Sequence, residues 1–133
     1  MTVAQVLGIG RTFPGVEEST SFGAPALKAC PERMPSNARR VERVKGKLMA
    51  CVPTNKAAEP NSFMFRMDRR DRPALLAEAP DLYYCPGHYV DYDAVLVRLD
   101  RLTPEVARDL LAMAHRFVTA RNPPRTRSRN SSR

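Results

Sequence analysis

Residues 94–118 read AVLVRLDRLTPEVARDLLAMAHRFV, and the change of period inside this stretch decides the fold. Ala94 to Leu99 is a short apolar, β-branched run that reads as a strand. From Thr103 onward the apolar residues recur at helical spacing. Thr103 is placed to cap, and Pro104 sits at the first helical position, where its missing N–H is no loss. Val106, Leu110, Met113 and Phe117, with Ala107, Leu111, Ala114 and Val118, form one wide apolar stripe. Glu105, Arg108, Asp109, Ala112 and Arg116 occupy the opposite face, so the pattern predicts a helix to about Ala120. A helix with one wide apolar face after a strand needs a sheet to cover.

Upstream, Phe63-Met64-Phe65-Arg66-Met67-Asp68 alternates, with Phe63, Phe65 and Met67 on one face and Arg66 and Asp68 on the other. Lys47 to Val52 reads as a buried strand closed by Pro53, and Asn55 to Asn61 is its hairpin connection. Asp71 to Ala79 predicts a short helix, opened by Pro73 near its start and stopped by Pro80. Tyr83 to Asp93 is an irregular strand or a loop. Ser21 to Ala29 is a first strand that Pro25 confines to an edge or a bulge. Thr2 and Gln5 have capping-box spacing, which predicts a helix over 2–11 that Pro14-Gly15 ends. The order α-β-β-β-α-β-α predicts one α+β domain over 1–120, a mainly antiparallel sheet of three to five strands with helices on one face. No strand runs into a glycine-rich turn, so neither a dinucleotide fingerprint nor a P-loop is present.

The chain has 133 residues, of which 43% are apolar, enough for a core without disulfide or metal staples. No apolar run reaches the ~18–20 residues of a membrane span, and the N-terminus lacks the basic stretch of a secretory signal. The expectation is a cytoplasmic protein with no membrane partner. Cys30, Cys51 and Cys85 are odd in number and widely spaced, unlike a disulfide framework or a zinc ribbon, and read as reduced thiols. Net charge is +8, unevenly spread. The tail 121–133 carries five Arg and no acid, with nothing apolar to bury, and is expected to be disordered. Lys28 to Lys47 is the second basic stretch.

Five pieces in register resemble a known family. They are Pro14-Gly15-Val16-Glu17-Glu18 with Phe22-Gly23-x-Pro25, then Gly46-Lys47-Leu48-Met49-Ala50, then Arg72-Pro73-Ala74-Leu75-Leu76 with Pro80. Pro86-Gly87-His88-Tyr89 with Tyr92, and Val95-Leu96-Val97-Arg98-Leu99-Asp100, complete the set. Together, over Val3 to Val118, the chain resembles the MmcQ/YjbR family of small bacterial proteins. It departs in a longer segment over 28–45 and in Tyr92, where Trp is common. The resemblance implies a CyaY-like, "double wing" α+β fold. It also implies the label DNA-binding, which rests on likeness to double-wing transcription factors and does not by itself settle function. The family offers no established reaction, cofactor or ligand residues.

Two site readings follow from the residues. Cations placed along a groove meet phosphates and release counterions. Arg39, Arg40, Arg43, Lys45 and Lys47, with Arg66, Arg69, Arg70 and Arg98, make the candidate set for weak, largely sequence-independent DNA binding. Alternatively Tyr84, His88, Tyr89 and Tyr92 line a small-ligand or protein-interaction site with no nucleic-acid role, or else Tyr83, Tyr84, Tyr89 and Tyr92 fill core and rim between the fourth strand and the terminal helix. Catalysis has no constellation to stand on. Cys85 and His88 are three apart across Pro86-Gly87 without an orienting third group, two ligands make no zinc site, and His115 borders the terminal stripe. Glu17 and Glu18, adjacent in a strand, face opposite sides and form no dyad. The expectation is a non-catalytic protein without metal or cofactor.

Overall fold

A computed structural model of the chain describes residues 1–30 and 46–120. The elements are α1 (Val3–Gly10), β1 (Val16–Ser21), β2 (Ala24–Ala29), β3 (Lys47–Cys51), β4 (Ser62–Arg66), α2 (Arg72–Glu78), β5 (Tyr83–Tyr84), β6 (Ala94–Arg98) and α3 (Pro104–Thr119). The six strands form one antiparallel sheet in the order β1-β2-β3-β4-β6-β5. The α+β class and the helix-covered sheet are as expected, with one strand beyond the expected range. That strand is β1. Its sequence, Val16-Glu17-Glu18-Ser19-Thr20-Ser21, carries a single apolar side chain because it is an edge strand with little to bury.

The caps set the helix ends. The Thr2 hydroxyl accepts from the Gln5 N–H while Gln5 Oε1 accepts from the Thr2 N–H, the reciprocal pair that opens α1. The Thr103 hydroxyl accepts from the Val106 N–H at the start of α3, with Pro104 next to it. At the other end of α1, a Cβ on Gly10 would run into the side chain of the fully buried Leu27, so only glycine lets the helix lie this close to β2.

The core lies between the sheet and the helices. Phe63, Phe65, Val95, Val97 and Leu27 point to that side and are fully buried against Val6 of α1 and Ala107, Leu111 and Ala114 of α3. The pairing register slips between Leu27 and Lys28, leaving Met49 as the extra residue of β3. This bulge lets Met49 and Ala50 both join the helix-side core. His115 fastens the same layer, its Nε2 2.8 Å from the Pro14 carbonyl oxygen and its ring 5.7 Å from that of Phe13. No helix among the described residues is long and apolar enough to cross a membrane.

Candidate functional site

No described helix lies on the opposite face of the sheet. Its strand positions are Ala26, Cys51, Met64, Ala94 and Leu96, all buried. Their cover is the segment between β5 and β6. Pro86 and Gly87 turn the chain into a single 3-10 turn over Gly87–Tyr89, and Tyr89 lies down on the apolar floor, 4% exposed.

Arg72 holds that segment in place. It opens α2 yet is buried, and its guanidinium donates to the carbonyls of Tyr89, Val90, Tyr92 and Ala94 at 2.7–3.4 Å. A buried cation is tolerable when several acceptors surround it, and four main-chain oxygens do so here. Arg72 thereby fixes the backbone that carries His88, Tyr89 and Tyr92.

Beside this segment the face sinks into an open cavity of about 660 Å3. Leu48, Cys51, Met64 and Ala94 form its apolar floor. His88, Tyr89 and Tyr92 form one wall, Ser21 and Phe22 of the β1–β2 turn stand at another, and Val52 to Asn55 close a third side. The three wall rings touch edge to face, with centroids 4.9–5.5 Å apart and planes 72–89° apart. Tyr92 is 48% exposed and Phe22 is 93% exposed, so both offer ring surface to whatever enters. Phe22 also has φ 52°, the left-handed region that bulky side chains avoid.

Arg66 and Asp93 bring charge to this cavity. Arg66 Nε donates to the Asp93 carbonyl at 3.1 Å and Nη1 to the Leu48 carbonyl at 3.4 Å, leaving Nη2 without an acceptor among the described residues. Its guanidinium also lies 5.2 Å from the Phe117 ring. Burial draws the Arg66 guanidinium below its ordinary value, with the Asp93 charge offsetting part of the effect. Burial pushes the Cys51 thiol up, against the opposing effects of Ser21 and Arg66, and it pushes the Tyr89 phenol up as well. Thiol and phenol therefore stay protonated near neutral pH.

The described candidate phosphate contacts do not all gather on one rim, although Lys47 and Arg66 line one hollow beside the end of α3. Arg66 and Arg98 share the open face as the strand phase requires, but they sit at opposite ends of the β4–β6 pair, opposite Ala94 and Ser62 respectively. Arg98 is bidentate to Glu59 at 2.8–2.9 Å and lies over the Tyr84 ring. Arg70 is bidentate to Asp68, and Arg69 pairs with Asp93 at 3.4 Å while donating to the Asp91 carbonyl. Lys47 is exposed at the start of β3. Arg39, Arg40, Arg43 and Lys45, and the tail 121–133, lie outside the described residues.

Of the aromatic candidates, His88, Tyr89 and Tyr92 come together at the cavity, and Tyr84 does not. Its hydroxyl is 2.5 Å from Ser62 Oγ and accepts from the Glu59 N–H, on the far side of the face. Nor do the tyrosines fill a gap under α3: only Tyr83 enters the helix-side core. Cys85 directs its thiol to the Pro86 carbonyl at 3.9 Å. Among the described residues no group of three or more His, Cys, Asp or Glu is placed to hold a metal ion. Sequence reasoning missed Phe22 and Arg72 as site residues. The Phe-Gly pair between two strands, where hairpins favour Asn-Gly, was the available signal for Phe22. The role of Arg72 has no sequence signal, since its acceptors are main-chain oxygens 17–22 residues away.

Against known proteins, no family model matches the chain, and no curated protein matches it. A solved structure does: Deinococcus radiodurans protein DR2400, a DUF419-domain protein, with a TM-score of 0.63 over 90% of this chain and 80% of that one, at 19% sequence identity. At that identity what the two chains share is the fold, a small α+β domain.

Proposed function

We propose that this chain is a non-catalytic binding module that takes a small ligand in the cavity on the open face of its sheet. The observation that carries the proposal is a concavity of about 660 Å3, apolar at the floor and walled by His88, Tyr89 and Tyr92, with one cation at its edge. Ligand pockets generally span about 300–1,000 Å3, mostly apolar and aromatic with a few placed polar groups. A duplex would need cations spread along an outer surface, and three of the described arginines proposed for that task are held by carboxylates instead. We also propose that the chain is of the MmcQ/YjbR type, on its five motifs in order and on an α+β fold that suits them.

Titration of the full chain with anilinonaphthalene sulfonate tests the binding reading, since the dye brightens on entering apolar pockets. Dye fluorescence is expected to rise with native protein and to fall for Tyr92→Ala, whose truncated side chain is half-exposed and leaves the fold intact by circular dichroism. Duplex DNA in a salt series is the competing arm. Retention that falls steeply between ~50 and ~200 mM salt and ignores Tyr92→Ala would overturn the small-ligand reading in favour of DNA.

A further inference from the structure

We infer that the ligand of this cavity is a flat aromatic molecule bearing one negative charge, its ring lying between Phe22 and Tyr92 and its anionic group on Arg66. The inference rests on the small-ligand reading above and names the ligand's chemistry.

Shape is the first line of support. Three mutually perpendicular rings suggest a cage for a quaternary ammonium, but such a cage needs space between the rings. Here the centroids of His88, Tyr89 and Tyr92 are 4.9–5.5 Å apart, already at contact. They form a solid wall, and an occupant lies against it rather than inside it. The free ring surface is that of Tyr92 on one side and of Phe22 on the other. Each offers a face on which a flat aromatic ring can stack.

Phe22 gives the second line. A 93% exposed phenylalanine contributes almost nothing to the core, and at φ 52° it strains a two-residue turn in which Asn would be relaxed. The fold does not use this ring. A ligand entering the cavity would.

The third line is charge. Arg66 is a half-buried cation, two of its donors are spent on main-chain carbonyls, and Nη2 has no acceptor among the described residues. The neighbouring carboxylate, Asp93, is shared with Arg69. A guanidinium edge in a partly dry site matches the oxygens of a carboxylate, sulfonate or phosphate. The same charge disfavours a cationic ligand.

Two probes on the full chain separate the parts of the inference: anilinonaphthalene sulfonate, and the uncharged N-phenylnaphthylamine, which has the same rings without the sulfonate. Arg66→Gln is expected to weaken the sulfonate about tenfold, the loss of one charge-assisted hydrogen bond, and to leave the neutral probe unchanged. Arg66→Lys, which keeps the charge without the fork, should recover part of the loss. Arg98→Gln removes a cation tied to Glu59 and should change neither probe. Phe22→Asn should weaken both probes. An Arg66→Gln protein that folds and binds the sulfonate as before would overturn the anion assignment while leaving the cavity reading standing. Equal loss in Arg98→Gln would overturn it too, as general attraction to a basic protein. If neither Phe22→Asn nor Tyr92→Ala changes either probe, the cavity reading itself is lost, and the ligand class with it.

Discussion

Replacing Phe22 by Asn should make the protein more stable and poorer at binding. Phe22 and Gly23 are the two central residues of the β1–β2 hairpin, flanked by the Ser21–Ala24 pair, with φ of 52° and 82°. Both positive angles suit a type I′ turn, for which Asn-Gly is the favoured pair. A non-glycine residue in the left-handed region costs roughly 1–2 kcal/mol, and Asn recovers much of that because its short polar side chain bonds locally. Against this stands the apolar area that Phe22 hides. At 93% exposure it withholds only about 15 Å2 from water, worth about 0.4 kcal/mol. The balance is a gain of about 1 kcal/mol, or a Tm higher by about 4 °C for a domain of this size. Thermal melts by far-UV circular dichroism measure the first half, and dye titration at a temperature where both proteins are folded measures the second. A lower Tm would refute the reasoning, since the ring would then have to be packed in solution. A higher Tm with unchanged dye binding would preserve the strain argument and remove Phe22 from the site.

Other expectations follow from single contacts. Arg72→Met leaves the carbonyls of Tyr89, Val90, Tyr92 and Ala94 without their donor and should cost about 3 kcal/mol, lowering the Tm by ~10 °C and weakening dye binding, both read in one melt-and-titration series. Gly10→Ala, ordinarily favourable in a helix, should destabilise by about 1–2 kcal/mol in urea titration because the new methyl group meets Leu27. The Arg70 guanidinium holds the Asp68 carboxyl below the usual aspartate value. The folded state therefore takes up that proton less readily than the unfolded one. The stability Asp68 contributes is fully present above about pH 4 and is lost as the pH falls through its lowered folded value. Stability measured against pH should accordingly fall less steeply in acid for Asp68→Asn than for the native protein, and identical slopes would show that the pair does not persist in solution.

The parts of the fold that were legible in the sequence are those where burial dictates residue type. The stripe from Val106 to Val118 and the alternation of Phe63, Phe65 and Met67 had no other good reading, because each of those side chains enters the core. β1 was illegible for the converse reason. Glu17, Glu18, Ser19 and Thr20 sit on an edge strand, where main-chain pairing with β2 supplies the structure and side chains are free to be polar. At the site, His88, Tyr89 and Tyr92 stood out as a dense aromatic group, but which of them would be floor and which wall depended on how the chain turns at Pro86-Gly87. Arg72 stands in the sequence reading only as the residue that opens the Arg72-Pro73 motif. Its function as a clamp exists only because the topology returns four carbonyls to it.

The two open-face arginines show how far strand phase alone can carry a functional assignment. Arg66 and Arg98 both fall on the sheet face away from the helices, which the alternation of β4 and β6 required. Phase says which side a cation is on and nothing about what it finds there. Arg98 meets Glu59 from the β3–β4 connection, the carbonyls of Pro80 and Asp81, and the ring of Tyr84, which together occupy its donors and its flat face. Arg66 lines the cavity, meets two carbonyls and the Phe117 ring, and has in Nη2 a donor without an acceptor among the described residues. The first is spent on holding the structure and the second is not. A cation's fitness for binding is therefore set by the donors left after its neighbours are counted, a quantity fixed by loops and strand ends rather than by the pattern of the strands. On that count Arg66 is favoured among the described arginines of the open face, and Arg66→Gln is the substitution that most directly distinguishes a binding site from a well-packed surface.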